Sequence, residues 1–162
     1  MSILRFTVLG IGVVNGIKMI KRGGKEYYKK TTVLLVAVIT IVFFSCFVSA
    51  ILNKTQFDRL TISGIIIYLF SYIFLLLSSI SLGNQWNLKI IIAKKHRLVN
   101  NYLFKKVKHP YYYLSLIPEA LSAVLICKAW IVLYTLFIPF ILMIFVRIYQ
   151  EEKVMKMHFS EY

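Results

Sequence analysis

The hydrophobic residues of this chain form long runs that are separated by short polar segments. Two of these runs, from Thr32 to Leu52 and from Thr61 to Leu82, contain almost no charged residue. At about 1.5 Å per helical residue, each is long enough to cross a hydrocarbon layer of about 30 Å. We therefore predict that each run forms a membrane-spanning helix.

Three further runs are weaker. The first, from Ile3 to Ile20, is interrupted by glycine and asparagine residues, and its small residues would let another helix approach closely. The other two, from Leu114 to Ile126 and from Trp130 to Arg147, are separated only by residues 127–129, so we predict a helical hairpin. Pro139 lies within the second of them and predicts a kink.

Composition supports a membrane protein. Of 162 residues, 59% are hydrophobic and only 16% are charged, against about a quarter in ordinary soluble domains. We predict an all-α fold: a polytopic membrane helical bundle of five segments, forming a single membrane domain over residues 1–162. Cys46 and Cys127 lie within apolar runs, with neither the spacing of a metal site nor that of a disulfide framework.

Charge predicts the orientation. The chain has 20 Lys+Arg against 6 Asp+Glu, a net charge of +14, and most of the cations lie in segments 21–30 and 83–108 and in the tail. Positive loops stay on the cytoplasmic side, which places the N-terminus outside and the C-terminus in the cytoplasm of what we expect to be a bacterial cell membrane. Cations that flank apolar runs favour anionic membrane lipid over nucleic acid as the partner.

A first polar cluster, Lys108-His109-Pro110-Tyr111-Tyr112-Tyr113, precedes the hairpin. Proline favours the first turn of a helix and disfavours helical geometry in the residue before it, so a helix is predicted to begin here. The positive end of that helix would suit an anionic group such as a carboxylate. An interfacial aromatic belt accounts for Tyr111 and Tyr113 equally well.

A second cluster, Arg147-Ile148-Tyr149-Gln150-Glu151-Glu152, ends the last apolar run. Its Arg147–Glu151 pair has the less favourable i, i+4 order for helix stabilisation, so helix stability alone accounts for the cluster poorly. Adjacent glutamates in a strongly basic chain would suit a cationic ligand that also carries hydroxyls. The topology predicts that both clusters lie on the same membrane face.

Glu119 lies inside the predicted hairpin, on the same helical face as Tyr112 and about 10 Å deeper. An acid at that depth is costly, which makes it a candidate functional residue. A structural hydrogen bond to a neighbouring helix accounts for it equally well.

The order of these motifs resembles a known family. Leu82-Gly83-Asn84-Gln85-Trp86 is followed by His96-Arg97-Leu98-Val99, by the His109-Pro110-Tyr111-Tyr112 segment, and finally by the Arg147–Glu152 cluster. This order, over residues 82–162, is similar to that of the isoprenylcysteine carboxyl methyltransferase family of integral membrane enzymes, including its short bacterial members. The chain departs from the family pattern at three positions: Lys108 replaces arginine, Tyr102 replaces glycine and Phe104 replaces tyrosine.

The resemblance implies a methyltransferase that uses S-adenosylmethionine and methylates a lipophilic or lipidated acceptor, such as an isoprenylcysteine carboxylate or a hydroxyl. By the same resemblance the C-terminal half, residues 83–162, binds the methyl donor, and residues 1–82 line the entrance for the acceptor. The donor-binding residues would be His109, Pro110, Tyr112, Arg147, Glu151 and Glu152. The candidate catalytic residues are His109, Glu119 and Arg147.

Other functions stay open from the sequence. A phospholipid N-methyltransferase or a nicotinamide-dependent membrane reductase of related topology would share these features. A non-catalytic membrane adaptor or a small transporter would also account for the basic loops, and it predicts that the purified protein does not bind the methyl donor.

Overall fold

The structure is a computed structural model that describes residues 3–93 and 102–159. The His96-Arg97-Leu98-Val99 motif lies outside these residues. Helices dominate the described chain, and they are α1 (Ile3–Lys21), α2 (Lys29–Leu52), α3 (Arg59–Leu82), α4 (Tyr102–Lys106), α5 (Ile117–Cys127), α6 (Trp130–Thr135) and α7 (Phe137–His158). A short 3₁₀ turn, Gly83–Gln85, extends α3, and a π-helical turn, Tyr111–Leu116, leads into α5. The predicted all-α class is confirmed.

The fold also contains a small β-ribbon. Strand β1 (Lys25–Tyr27) pairs antiparallel with β2 (Ile90–Ile92), with Glu26 opposite Ile91. The ribbon ties the loop between α1 and α2 to the segment after α3. It accounts for the apolar stretch within the basic segment 83–108, since Ile90 and Ile91 are buried.

Two helices in the described part of the chain are long and apolar enough to cross a membrane, namely Lys29–Leu52 and Arg59–Gln85. They contain the two strong runs identified in the sequence. Only 17% and 22% of their most apolar windows are buried, so most of their hydrocarbon surface faces outward. Outward-facing apolar surface on this scale is typical of a membrane protein and not of a soluble core. A total of five membrane segments stays a prediction.

The breaks in the C-terminal half follow from its prolines. Pro118 cannot donate a backbone hydrogen bond to Leu114, and the turn before it widens so that the amide of Ile117 reaches the carbonyl of Tyr112. Likewise Pro139 cannot donate to Thr135. The helix is interrupted at Leu136, less than one turn before the proline.

The main core forms where α5, α6 and α7 meet α2. Its most buried members include Val42 and Cys46 of α2, Leu116 and Val124 on the α5 side, and Phe140. The chain turns after α5 at Lys128, which has a left-handed backbone conformation. Residues of α5 and α7 share this core with α2. The helical hairpin expected from the last two runs stays a prediction.

An ion pair holds the loops together at the end of the bundle where α2 stops. Lys128 Nζ lies 2.7 Å from Asp58 Oδ2, and Asn53 Nδ2 donates to the carbonyl oxygen of Lys128. Asp58 also caps α3 by accepting a hydrogen bond from the Thr61 amide. The hydrogen bond from Lys128, with that from Thr61, lowers the pKa of Asp58 to about 2.

Candidate functional site

The two polar clusters meet at the other end of the bundle, where α2 begins and α3 ends. Pro110 has helical backbone angles and is buried, as expected for a proline in the first turn of a helix. The carbonyl oxygen of His109 accepts hydrogen bonds from the amides of Tyr112 and Tyr113, both at 3.2 Å. These bonds use two of the amides that a helix N-terminus would otherwise offer to an anion.

His109 lies between the two glutamates of α7. Its Nδ1 is 3.4 Å from Glu151 Oε2, and its Nε2 is 3.5 Å from Glu152 Oε1. A ring nitrogen that carries hydrogen can donate to the carboxylate that it faces. The His109 side chain is buried, while Glu151 and Glu152 keep 26% and 31% of theirs exposed and can reach a ligand.

Tyr112 fixes Glu151 from the other side. The phenol oxygen of this buried residue donates a hydrogen bond to Glu151 Oε1 at 2.5 Å. Hydrogen bonds to a charged acceptor are stronger than neutral ones and orient the carboxylate. Tyr112 therefore acts with His109 in holding Glu151 in place.

Arg147 is fully buried and faces the interior of the bundle. It donates from one terminal nitrogen to Thr32 Oγ1 at 2.8 Å and from the other to the carbonyl oxygen of Leu88 at 3.0 Å. Its Nε lies 3.6 Å from Glu151 Oε1. This geometry makes Arg147 a positioning residue that joins α2, the segment before β2 and Glu151.

A cavity of about 680 Å³ opens beside this cluster. Such a volume is typical of small-molecule sites. His109, Pro110, Tyr112 and Glu151 line its polar end, whereas Arg147 and Glu152 are not among the lining residues. The rest of its wall is mostly apolar and comes from one face of α2, from α1 and from the segment between Leu82 and Ile92.

Trp86 and Asn15 also shape this site. A tryptophan directly after an apolar run is typical of an interfacial anchor. Trp86 is instead buried, with its indole Nε1 donating to the carbonyl oxygen of Val8 and its ring edge-on to Tyr111. Asn15 donates to the carbonyl oxygens of Gly83 and Trp86. The signal that could have identified Asn15 is a polar residue inside an apolar run.

Glycine residues allow the segment that carries Trp86 to lie close to α1. A Cβ atom on Gly12 would lie 3.0 Å from the indole nitrogen of Trp86. Gly83 has φ +51°, a conformation that residues with side chains rarely adopt, and it turns the chain from α3 towards Trp86. The small residues of the first run therefore admit a loop and not another helix.

Glu119 does not lie at this cluster. It is 2% exposed and lines a second cavity, of about 300 Å³, together with Cys46, Cys127 and Tyr68. It follows Tyr112 by seven positions, about two helical turns, which carries it along α5 away from His109. The structure thus brings together His109, Pro110, Tyr112, Arg147, Glu151 and Glu152, and separates Glu119 from them.

The polar end of the larger cavity fits the groups of S-adenosylmethionine. The Glu151 carboxylate can accept hydrogen bonds there from an ammonium group or from ribose hydroxyls, and the partly exposed Glu152 carboxylate lies beside the lining, across His109. Trp86, Tyr111 and Tyr112 also line the cavity, and aromatic side chains can contact a purine or a cationic sulfur.

The α-carboxylate of the donor needs a cation. Arg147 already bonds to Thr32 and Leu88, and it does not line the cavity. His109 and Lys108 do line it, and either could face the carboxylate.

Two comparisons with known proteins found similar sequences. A model of the isoprenylcysteine carboxyl methyltransferase (ICMT) family matches residues 64–157. An uncharacterized protein from Haemophilus influenzae (strain Rd) is 30% identical over 155 residues, which cover 94% of this chain and 88% of that protein. No solved structure matches the chain.

Proposed function

The chain belongs to the isoprenylcysteine carboxyl methyltransferase family, and from this premise we propose that it is a membrane methyltransferase that uses S-adenosylmethionine. The acceptor is a lipophilic or lipidated molecule that carries a carboxylate or a hydroxyl. One observation supports this proposal above all others. The His109, Tyr112 and Glu151 side chains line the polar end of a cavity whose remaining wall is largely hydrocarbon.

The residues of this cluster have distinct parts in the proposal. Glu151 and Glu152 bind the ammonium or the ribose hydroxyls of the donor, and Pro110 and Tyr112 form the adjoining wall. Arg147 and His109 hold the carboxylate of Glu151 in place, and His109 also contacts that of Glu152. When bound, the donor supplies a methyl group on a positively charged sulfur, and the sulfur leaves as a neutral thioether.

The acceptor decides whether a proton must be removed. A carboxylate is already anionic and needs no base, so alignment and exclusion of water suffice. A hydroxyl acceptor needs a general base. His109 lies at the polar end of the cavity and is the better candidate. Glu119 lies in the second cavity and would need the acceptor to reach deeper.

We propose that the two halves of the chain differ in role and that the cluster faces the cytoplasm. Residues 83–162 contribute most of the donor site, and residues 1–82 contribute the face of α2 along which the acceptor lies. The basic segments flank the same end of the bundle as His109, which supports the orientation with the C-terminus inside. Membrane lipid then surrounds α2 and α3.

Donor binding and methyl transfer by purified protein test the proposal. With labelled S-adenosylmethionine and a lipid extract of the source organism, we expect binding and a labelled lipid product. Glu152→Gln and Glu151→Gln should each weaken donor binding by about tenfold or more, because a hydrogen bond to a charged group contributes ~1.5–3 kcal/mol. Asp58→Asn, at the opposite end of the bundle, is the matched control and should bind normally.

Two outcomes would change the assignment. If the wild-type protein neither binds the donor nor labels any lipid, the methyltransferase proposal fails. A parallel assay with a reduced nicotinamide cofactor detects a reductase. If transfer proceeds unchanged in the double variant His109→Asn, Glu119→Gln, then no general base from this pair is used and a carboxylate acceptor is favoured.

A further inference from the structure

The face of α2 that lines the larger cavity is a continuous stripe of mostly apolar residues, called the apolar stripe below. Its members recur every three or four residues, the spacing that keeps side chains on one helical face. Thr32 at the polar end contacts Arg147, and the stripe then runs away from the cluster. Its further members are Leu35, Val36, Ile39, Thr40, Phe43, Phe44 and Phe47.

This stripe has a defined length. From Leu35 to Phe47 the helix rises about 18 Å at 1.5 Å per residue. An extended chain advances roughly 1.2 Å per bond, taking ~3.6 Å for the three bonds of a residue. A single extended hydrocarbon tail of on the order of 15 bonds therefore matches the stripe.

The stripe is also open to the side. Val36, Phe44 and Phe47 are largely exposed, in a helix whose apolar surface faces outward. A tail can thus enter from the hydrocarbon layer without passing the polar end. This lateral opening and the continuity with His109 and Glu151 favour one kind of occupant, an amphiphile with a polar head and a single tail.

Phe43 and Phe47 lie where this cavity adjoins the second one, because both residues line both cavities. They are one helical turn apart on α2. Beyond them the second cavity is lined mostly by apolar side chains, among them Ala123 and Ile126, so hydrocarbon could occupy it if the two rings did not separate it from the first cavity. The second cavity would add nearly half of the volume of the first.

We propose that Phe43 and Phe47 form a partition that sets the tail length of the methyl acceptor. The proposal rests on the proposed function, since it places the reactive head of the acceptor at the His109 and Tyr112 end. The tail lies along α2 and ends against the two rings. Removing a ring joins the cavities and admits a longer tail, whereas enlarging a ring shortens the accepted tail.

The test uses alkyl carboxylic acids with a photoreactive group at the tail end and tails of roughly 10, 15 and 20 carbon atoms. Purified protein in lipid nanodiscs is crosslinked with each acid, and the attachment site is mapped by mass spectrometry. We expect the middle length to give the highest yield, with attachment in the segment of α2 that contains Phe43 and Phe47. Phe47→Ala should shift the preference to the longest acid by about tenfold, with attachment on α5 near Ser122.

Two variants make the test specific. Phe47→Trp should shift the preference to the shortest acid, and it adds no cavity that could destabilise the fold. Phe70→Ala removes an exposed aromatic ring from α3, outside both cavities, and should behave as the wild type.

Methyl ester formation is measured in the same samples, so the two proposals can fail separately. Length-dependent crosslinking without ester formation in the presence of S-adenosylmethionine keeps the partition and overturns a carboxylate as the group that accepts the methyl. Crosslinking that does not depend on length, or that is unchanged in both Phe47 variants, overturns the partition whatever the enzyme activity. Attachment that excess unlabelled acid does not reduce identifies bulk membrane lipid as the occupant, which also overturns the partition.

Discussion

Arg147 is a buried cation in a helix whose other buried residues, in the part that the structure describes, are all apolar. Removing a guanidinium from water is expensive, and the structure compensates for it with two hydrogen bonds and the nearby Glu151 carboxylate. The planar guanidinium reaches Thr32 Oγ1 and the carbonyl oxygen of Leu88 at the same time. A lysine ammonium, as a compact charge on a flexible stem, cannot reproduce that geometry.

We therefore predict that Arg147→Lys destabilises the protein by about 2 kcal/mol, because a buried acceptor loses its donor. It should also weaken binding of S-adenosylmethionine several-fold, since Glu151 loses the group behind it. Thermal unfolding in detergent and donor titration measure the two effects. Arg59→Lys at the exposed start of α3 is the matched control and should change neither. Normal donor binding by Arg147→Lys would contradict the positioning role.

Single residues were predictable from the sequence where their chemistry was unusual for their surroundings. His109, Tyr112, Glu151 and Glu152 stood out as polar groups at the ends of apolar runs, and the structure gathers them. Their partners were not predictable in the same way. Thr32 is an ordinary residue in its run, and the contribution of Leu88 is a backbone carbonyl, which any residue could supply.

At the scale of elements, the contact between α3 and α5 depends on one small residue. Gly64 faces α5 so closely that a Cβ atom would lie 2.7 Å from Ile126 Cγ1 and 3.1 Å from the carbonyl oxygen of Ser122. Small residues allow this approach between membrane helices, where packing replaces the hydrophobic effect. Ser122 and Ile126 also line the second cavity, so the contact between α3 and α5 borders that cavity.

Gly64→Ala should lower the free energy of unfolding by about 1–3 kcal/mol, the usual cost of overpacking a tight contact. Gly10→Ala is the matched control, because nothing lies within 4 Å of its would-be Cβ. It should be neutral or stabilise the protein by up to ~1 kcal/mol, since alanine is the better helix former. Chemical denaturation in mixed micelles measures both. Equal effects of the two substitutions would mean that α3 and α5 do not approach each other this closely.

The long helices α2 and α3 were predictable, because the length of an apolar run alone indicates that it can cross a membrane. The β-ribbon was not, since its two strands are only three residues long and pair across more than sixty positions of the chain. The break at Leu136 was predictable in kind but not in place. Proline removes a hydrogen bond from the preceding turn, and the surrounding packing decides which residue of that turn leaves the helix.

At the scale of the whole molecule, the site draws on both halves of the chain. Thr32 and Asn15, from the first half, hold Arg147 and the turn at Trp86. The lengths and charges of the runs could predict that both polar clusters lie at one end of a bundle. They could not predict that Glu119 belongs to a second cavity, because the direction of a side chain depends on which helix packs beside it.

The distribution of charge predicts how this molecule lies in the membrane, and α2 provides the sharpest place to check it. Lys30 lies in the first turn of α2 and Lys54 lies just beyond its last residue, and both are exposed. In a background in which Cys46 and Cys127 are replaced by alanine, we expect Lys54→Cys to react with a membrane-impermeant thiol reagent in intact cells. Lys30→Cys and Lys153→Cys should react only after the membrane is opened, because basic segments stay on the cytoplasmic side.

Detergent-solubilised protein is the control, in which all three cysteines should react at similar rates. The reverse pattern in intact cells would invert the orientation and place the His109 cluster outside, away from the cytoplasmic supply of methyl donor. Labelling of Lys30→Cys and Lys54→Cys from the same side would have a different meaning. It would show that α2 does not cross the bilayer. The apolar stripe from Leu35 to Phe47 would then lie along the membrane surface, where a tail could not enter it from the hydrocarbon layer.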